Sequence, residues 1–327
     1  MRNEKKIAIV MFQLGGPDTL EAVEPFLYNL FSDPDIINFP GSFLARKPLA
    51  KLISTMRSKS VRLKYSQIGG GSPIRRLTEQ QARALEQALR PHIVARTVVA
   101  MRYWHPSTRK AIAELEGAAF DELVLLPLYP QYSYATTGSS FNEWNRIHKP
   151  TTPVRVIEKF FDHPDYIAAI VERINGVLAR VPQPEDVHLV FSAHGLPMVL
   201  VEKGDPYPSQ IEATVKLVRE LGAWPNPHVL CYQSKVGPQK WLQPSLLGTI
   251  DNLAAEGVRR VLVVPIAFLT EHIETLHEIN IEVRGHAHAR GISDYHMMPA
   301  LNDSPLLIRA LADLVLRSVG LPPAGPP

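Results

Sequence analysis

Leu189-Val-Phe-Ser-Ala-His-Gly-Leu-Pro197 lies 180 positions after Ile9-Val-Met-Phe-Gln-Leu-Gly-Gly-Pro17, and in both a continuous apolar run of strand length breaks into a glycine- and proline-bearing turn. A second echo, offset by 138, sets Val261-Leu-Val-Val-Pro265 on Leu123-Val-Leu-Leu-Pro127. A strand that is apolar at every position, rather than at alternate ones, is covered on both faces, as strands of parallel sheets are. Comparable runs occur at 7–14, 97–103, 123–129, 154–160, 187–194, 229–234, 261–269 and around Tyr295, and helical patterns intervene at 77–90, 108–116, 165–181, 211–221, 247–256 and 305–319. This alternation predicts an α/β protein of two similar doubly wound domains, expected at residues 1–162 and 163–327.

A chain of 327 residues with 45% hydrophobic and 20% charged residues reads as globular, and its length suits two cores rather than one. No apolar run is long enough to cross a membrane, and the start leads into a strand instead of a secretory signal, so a cytoplasmic location is expected. One cysteine, Cys231, excludes an internal disulfide and reads as a small core residue. The net charge of +3 conceals an excursion at about 36–78 with nine Lys and Arg and no acid, which leaves −6 to the remainder. Phe39, Phe43, Leu44, Leu49, Leu52, Ile53 and Met56 interleave with those bases. Such a mixture suits an anionic membrane surface or an amphipathic acidic ligand, with a solvated excursion as the plain alternative. Nucleic acid fits less well, because no recognised binding motif accompanies the basic run.

Open parallel sheets bind ligands beyond the carboxyl ends of their strands. Leu14 and His194 occupy such ends in equivalent places of the two halves; Arg102, Tyr103 and Tyr129 end strands of the first half, and Gln233 and Ser234 end one of the second. An imidazole on the turn after a buried strand can serve as a general base or a metal ligand, and His272 and Glu274 stand near a comparable end. On an α-helix, Glu271, Glu274, Glu278 and Glu282 would share one face, with no Lys or Arg between Arg260 and Arg284 to relieve their repulsion. A bound cation would remove that cost; acids of a first turn that merely complement the helix dipole are the alternative. Ile68-Gly-Gly-Gly-Ser-Pro73 lacks the Lys-Ser/Thr of a phosphate loop and reads as a turn that permits close backbone approach. Ser139 or Ser140 suits an N-cap, and Trp241 suits either core or pocket.

Taken in order, Leu14-Gly-Gly-Pro17, Ile68-Gly-Gly-Gly-Ser-Pro73, Met101-Arg-Tyr-Trp-His-Pro106, Tyr129-Pro-Gln-Tyr-Ser133, Ser192-Ala-His-Gly-Leu-Pro197, Gly204-Asp-Pro-Tyr-Pro208, Gln233-Ser-Lys-Val-Gly237 and the stretch 268–278 resemble the ferrochelatase family over nearly the whole chain. The resemblance implies two domains with four-stranded parallel sheets, a porphyrin cleft between them, and insertion of Fe(II) into protoporphyrin IX to form haem with release of two protons, without nucleotide. It makes His194 and Glu274 the catalytic and metal-binding pair. His272, Glu278 and Glu282 become a proton or metal relay. Leu14, Arg102, Tyr103, Tyr129, Ser234 and Trp241 become porphyrin-binding, and the basic excursion becomes a membrane-touching lip. Fe(II) enters as a substrate; no permanently bound cofactor and no iron-sulfur cluster are expected, and the chain is expected as a monomer or weak dimer. Gln13 and Asn280 depart from the family's usual Asn and acid. Competing readings are a chelatase for coproporphyrin and iron or for sirohydrochlorin and cobalt, and a porphyrin or metal carrier without turnover.

Overall fold

The computed structural model describes residues 5–34, 42–235, 237 and 239–323, without side chains at 42–44. Among the described residues, eight strands form two sheets: β1 (Lys6–Gln13), β2 (Val94–Met101), β3 (Glu122–Pro127) and β4 (Val154–Val156) in the first, β5 (His188–His194), β6 (His228–Gln233), β7 (Arg260–Pro265) and β8 (Asp294–Met297) in the second. Every pairing is parallel, and the orders β2-β1-β3-β4 and β6-β5-β7-β8 are the same arrangement used twice. The sequence echoes thus pair β1 with β5 and β3 with β7, the two strands that meet at the topological switch of each sheet.

Both faces of each sheet are covered, which explains the uninterrupted apolar runs. In the first sheet, Ala8, Val10 and Phe12 point one way, against Ala111 and Ile112 of helix Thr108–Leu115 and Trp144 of helix Ser139–Ile147, while Ile7, Ile9 and Met11 are equally buried on the other side. In the second, Val190, Cys231, Val261 and Val263 pack on Leu246, Ile250 and Leu253 of helix Leu246–Ala255. Cys231 is an inert core residue there, its thiol pushed up to about 12 by burial.

Two compact units result. One runs to Tyr129, takes Ser133–Lys159 and regains the chain from Ile308 onward; the other holds Pro130–Tyr132 and Phe160–Leu307. One boundary between the units falls at Lys159 and Phe160, and another, at Leu307 and Ile308, divides helix Pro305–Ser318. An amphipathic pattern announces that a helix has an apolar face without saying which core receives it.

The basic excursion is largely one long helix, Ser42–Ser66, which runs through Pro48; Phe39 lies outside the described residues. The glycine run that follows serves close backbone approach. A Cβ at Gly71 would stand 2.3 Å from the Asp18 carbonyl oxygen, and Ser72 donates its N–H to the Pro17 carbonyl at 2.7 Å. Gly71→Ala is therefore expected to destabilise the first unit by roughly 1–3 kcal/mol, because neither backbone segment can yield freely. A chemical denaturation series against the unmodified chain reads this directly.

Candidate active site

His194 ends β5, and the strand leaves through Gly195, where a Cβ would come within 2.8 Å of the Gln233 carbonyl oxygen and 3.1 Å of the Trp241 ring. The imidazole Nδ1 stands 2.5 Å from the Gly195 carbonyl oxygen. A carbonyl only accepts, so Nδ1 carries a hydrogen, and in the neutral ring the lone pair is then on Nε2. That nitrogen faces Glu274, with Nε2 3.8 Å from Oε2. The other oxygen of the same carboxylate, Oε1, is 3.9 Å from His272 Nε2, and His272 Nδ1 is held by the Thr270 carbonyl at 3.0 Å. Two imidazole nitrogens therefore flank one carboxylate at separations longer than a hydrogen bond. Among the described residues, no three His, Cys, Asp or Glu side chains close into a cage around a metal ion.

Glu274 opens a π-helix, Glu274–Val283, rather than the α-helix assumed from the sequence. Such i→i+5 turns are rare and concentrate at functional sites. Ile279 and Val283 anchor it in the core, and the Tyr295 hydroxyl donates to the Ile279 carbonyl at 2.7 Å. The expected row of four acids is consequently broken. Glu271 accepts from the Ala300 N–H at 2.8 Å and from the Thr275 hydroxyl, a structural task. Glu282 is solvent-facing and lies 3.5 Å from His277 Nδ1, and Asn280 accepts from Arg284 at 2.6 Å.

Glu274 and Glu278 stay together because Ser234 ties them. Its hydroxyl donates to Glu278 Oε2 at 2.6 Å and lies 3.3 Å from Glu274 Oε2, while its backbone N–H donates to Glu278 Oε1 at 2.9 Å. Ser234 adopts a left-handed backbone, φ 65°, a strain these contacts offset. Burial first, then the adjacent Glu274 charge, raises the Glu278 pKa above the ordinary carboxyl value. Behind Ser234 stand Gln233, whose amide lies 3.4 Å from the Ser234 hydroxyl, and Ser192, whose hydroxyl donates to Gln233 at 2.7 Å. Sequence reading assigns neither residue this supporting part. The one signal for it is the two-residue spacing of Ser192 and His194, which puts both on one face of β5.

The remaining sequence-derived residues divide between the two units. Trp241 belongs with His194, ring centroids 6.3 Å apart. In the first unit, Leu14 is half-buried just beyond β1, and Tyr129 is half-buried after β3, its phenol pKa raised by burial. Arg102 and Tyr103, expected to line a porphyrin pocket, are engaged with Asp33. The guanidinium lies 2.8 Å from Asp33 Oδ1, and the Tyr103 hydroxyl donates to Oδ2 at 2.6 Å. Ser139 completes the cluster by donating to Asp33 at 2.8 Å and accepting from Arg102 Nε at 2.8 Å. Neither Ser139 nor Ser140 is a helix N-cap; Ser133 is, accepting from Ala135 N–H at 3.2 Å at the head of a second π-helix, Tyr134–Gly138.

Known proteins resemble this chain at two levels. In overall fold it is similar to SirB from Bacillus subtilis, with a TM-score of 0.57 at 13% identity over 97% of this chain and 96% of that one. CbiX, described as the terminal enzyme for biosynthesis of sirohaem in denitrifying bacteria, gives 0.51 at 13% identity over 95% of this chain and 98% of that one. Likeness in sequence is much closer. The chain is 50% identical to the ferrochelatase of Thermosynechococcus vestitus over 96% of its own length and 83% of that protein's. It is 46% identical to that of Trichodesmium erythraeum over 97% and 84%. The ferrochelatase family model matches residues 6–319, and the chain belongs to the ferrochelatase family of metal chelatases.

Proposed function

We propose that the chain inserts ferrous iron into protoporphyrin IX, yielding protohaem and two protons. Membership of the ferrochelatase family makes it an enzyme that inserts a metal into a porphyrin in haem biosynthesis. The observation that carries the finer reading is the meeting of His194 Nε2 with Glu274 Oε2 at 3.8 Å, with His272 on the carboxylate's second oxygen. A porphyrin keeps two pyrrole N–H groups at neutral pH. Insertion needs a base that reaches the ring face and a donor set that holds Fe(II) without trapping it. Neutral imidazole and carboxylate form such an intermediate-strength site, and the porphyrin's four nitrogens outbid it. Each iron bound expels two protons, which the His194 lone pair and the Glu274 carboxylate can accept and pass to water. Ser234 and Glu278 hold Glu274 in place for that exchange, and the Trp241 ring beside His194 offers apolar surface to the macrocycle.

Anaerobic mixing of the purified chain with Fe(II) and protoporphyrin IX, followed at the Soret band, tests the proposal; parallel runs with Zn(II) and with coproporphyrin set the substrate range. Turnover with coproporphyrin but not protoporphyrin would replace the substrate while leaving the chemistry. Absence of turnover with every pair would remove the finer reading.

The basic excursion supports contact with a membrane surface. On helix Ser42–Ser66, Leu52, Met56 and Leu63 are 57%, 73% and 64% exposed and fall on one face with Lys59. No helix among the described residues is long and apolar enough to cross a bilayer, so any attachment by this helix is interfacial. Replacing Leu52, Met56 and Leu63 together by Ser is expected to lower binding to phosphatidylserine-containing vesicles by about tenfold or more. Co-sedimentation measures it, and unchanged binding would assign the contact elsewhere.

A further inference from the structure

Ser192 and Gln233 form a buried polar pair behind the carboxylates of the site, 0% and 4% exposed. The register of β5 and β6 brings them there. Ser192 is paired with Cys231, and His194 with Gln233. Side chains two apart on a strand, and those of paired neighbours, stand on one face of a sheet, so Ser192, His194 and Gln233 share a face. It is the face that carries Val190 and Cys231, onto which the π-helix Glu274–Val283 packs through Ile279 and Val283.

Gln233 touches both halves of the site. Its backbone carbonyl accepts from the Gly195 N–H at 2.8 Å, and the Gly195 carbonyl in turn meets His194 Nδ1. Its side chain has a direction. Oε1 accepts from the Ser192 hydroxyl at 2.7 Å, and Nε2 stands 3.4 Å from the Ser234 hydroxyl. An amide that donates to the Ser234 oxygen leaves the hydroxyl's single hydrogen for the carboxylates, and that hydrogen goes to Glu278 Oε2 at 2.6 Å. Glu274 Oε2, the oxygen 3.8 Å from His194 Nε2, then keeps its lone pairs for a metal ion or a proton. Turning the amide over would exchange its oxygen and nitrogen with almost no change of shape. Oε1 would then face Ser234 and draw that hydrogen away from Glu278.

We propose that Ser192 and Gln233 are positioning residues for metal insertion: Ser192 selects the orientation of the Gln233 amide, and the amide directs the Ser234 hydroxyl toward Glu278, leaving Glu274 open toward His194. The inference rests on the reading of His194 and Glu274 as the reacting pair. Neither Ser192 nor Gln233 meets the porphyrin or the metal in this account. Each acts through Ser234, whose left-handed backbone, φ 65°, sets its N–H and its hydroxyl on the two oxygens of Glu278.

Steady-state kinetics of the full chain with anaerobic Fe(II) and protoporphyrin IX test the assignment, with the melting temperature of each variant monitored. Ser192→Ala frees the amide to turn over, and is expected to lower kcat about tenfold while KM for the porphyrin stays within about twofold. Adding Gln233→Met to Ser192→Ala removes the competing oxygen and leaves an apolar pair of similar shape, so kcat should return to within about threefold of the unmodified chain. Mere loosening of the core predicts the reverse, a double variant slower than Ser192→Ala. The second readout needs no turnover. In a chain labelled with ¹⁵N at glutamine side chains, the amide resonance that disappears in Gln233→Met belongs to Gln233, and it should shift in Ser192→Ala and in Ser234→Ala. An unmodified chain without turnover would count against the function proposed above, and the resonance would then decide the positioning role alone. A Gln233 resonance indifferent to Ser192→Ala, an unchanged kcat in that variant, or a double variant slower than the single would each overturn the inference.

Discussion

His194→Ala should abolish metal insertion while leaving porphyrin affinity within about tenfold of the unmodified chain. The imidazole contributes a lone pair at Nε2, held in direction by Nδ1 against the Gly195 carbonyl, and nothing else at the end of β5 can replace it. General-base assistance alone is worth about 10²–10⁴ in rate, and loss of a metal ligand adds to that. Binding should suffer little, since one ring is removed from a macrocycle's larger contact. Folding should also survive: the side chain is 39% exposed, and the hydrogen bond that Tyr207 donates is to the backbone carbonyl of His194, which alanine retains. Porphyrin fluorescence quenching gives the affinity, and Soret change under anaerobic Fe(II) gives the rate. A variant with full activity would refute the roles assigned to this pair.

Glu274→Gln should cost about 10²–10³ in kcat/KM, while Glu278→Gln should cost about tenfold. The amide keeps the shape and the contact with Ser234 but removes the negative charge on which His194 and His272 converge. Glu278 differs in environment rather than chemistry. Burial and the neighbouring Glu274 raise its pKa, so it holds its proton to a higher pH than an ordinary carboxyl and a neutral amide mimics it more closely. Steady-state kinetics of the two variants side by side decides the matter. If Glu278→Gln proved the more damaging, the carboxylate that meets the metal would be Glu278, and Glu274 would become its support.

Much of this site is legible in the amino-acid order because its parts sit at strand ends, and strand ends can be read from where apolar runs stop. His194, Ser234, His272 and Glu274 all follow such stops. The row of four acids is not legible in the same way. Its geometry depends on whether hydrogen bonds close at i+4 or i+5, and that is decided by Ile279 and Val283 entering the core and by Tyr295 reaching the Ile279 carbonyl. Glu271 and Glu282 leave the row for Ala300 and His277, one partner distant in sequence and one local. The ion pair of Arg102 with Asp33 is not legible either, because the two lie 69 positions apart with no pattern joining them. Helix Ser42–Ser66 is hidden by Pro48, which in a sequence pattern counts as an interruption.

By itself the sequence determined that the chain repeats one parallel α/β plan, since continuous apolar strands can be satisfied only by covering both faces, and that an imidazole and carboxylates stand at its strand ends. Only the tertiary structure decided which of those carboxylates meet the imidazole, where the boundary between the units divides the final helix and which buried side chains stand behind Ser234. Those outcomes depend on contacts between residues far apart in the chain, and on backbone hydrogen bonds that packing selects; local composition carries no record of either.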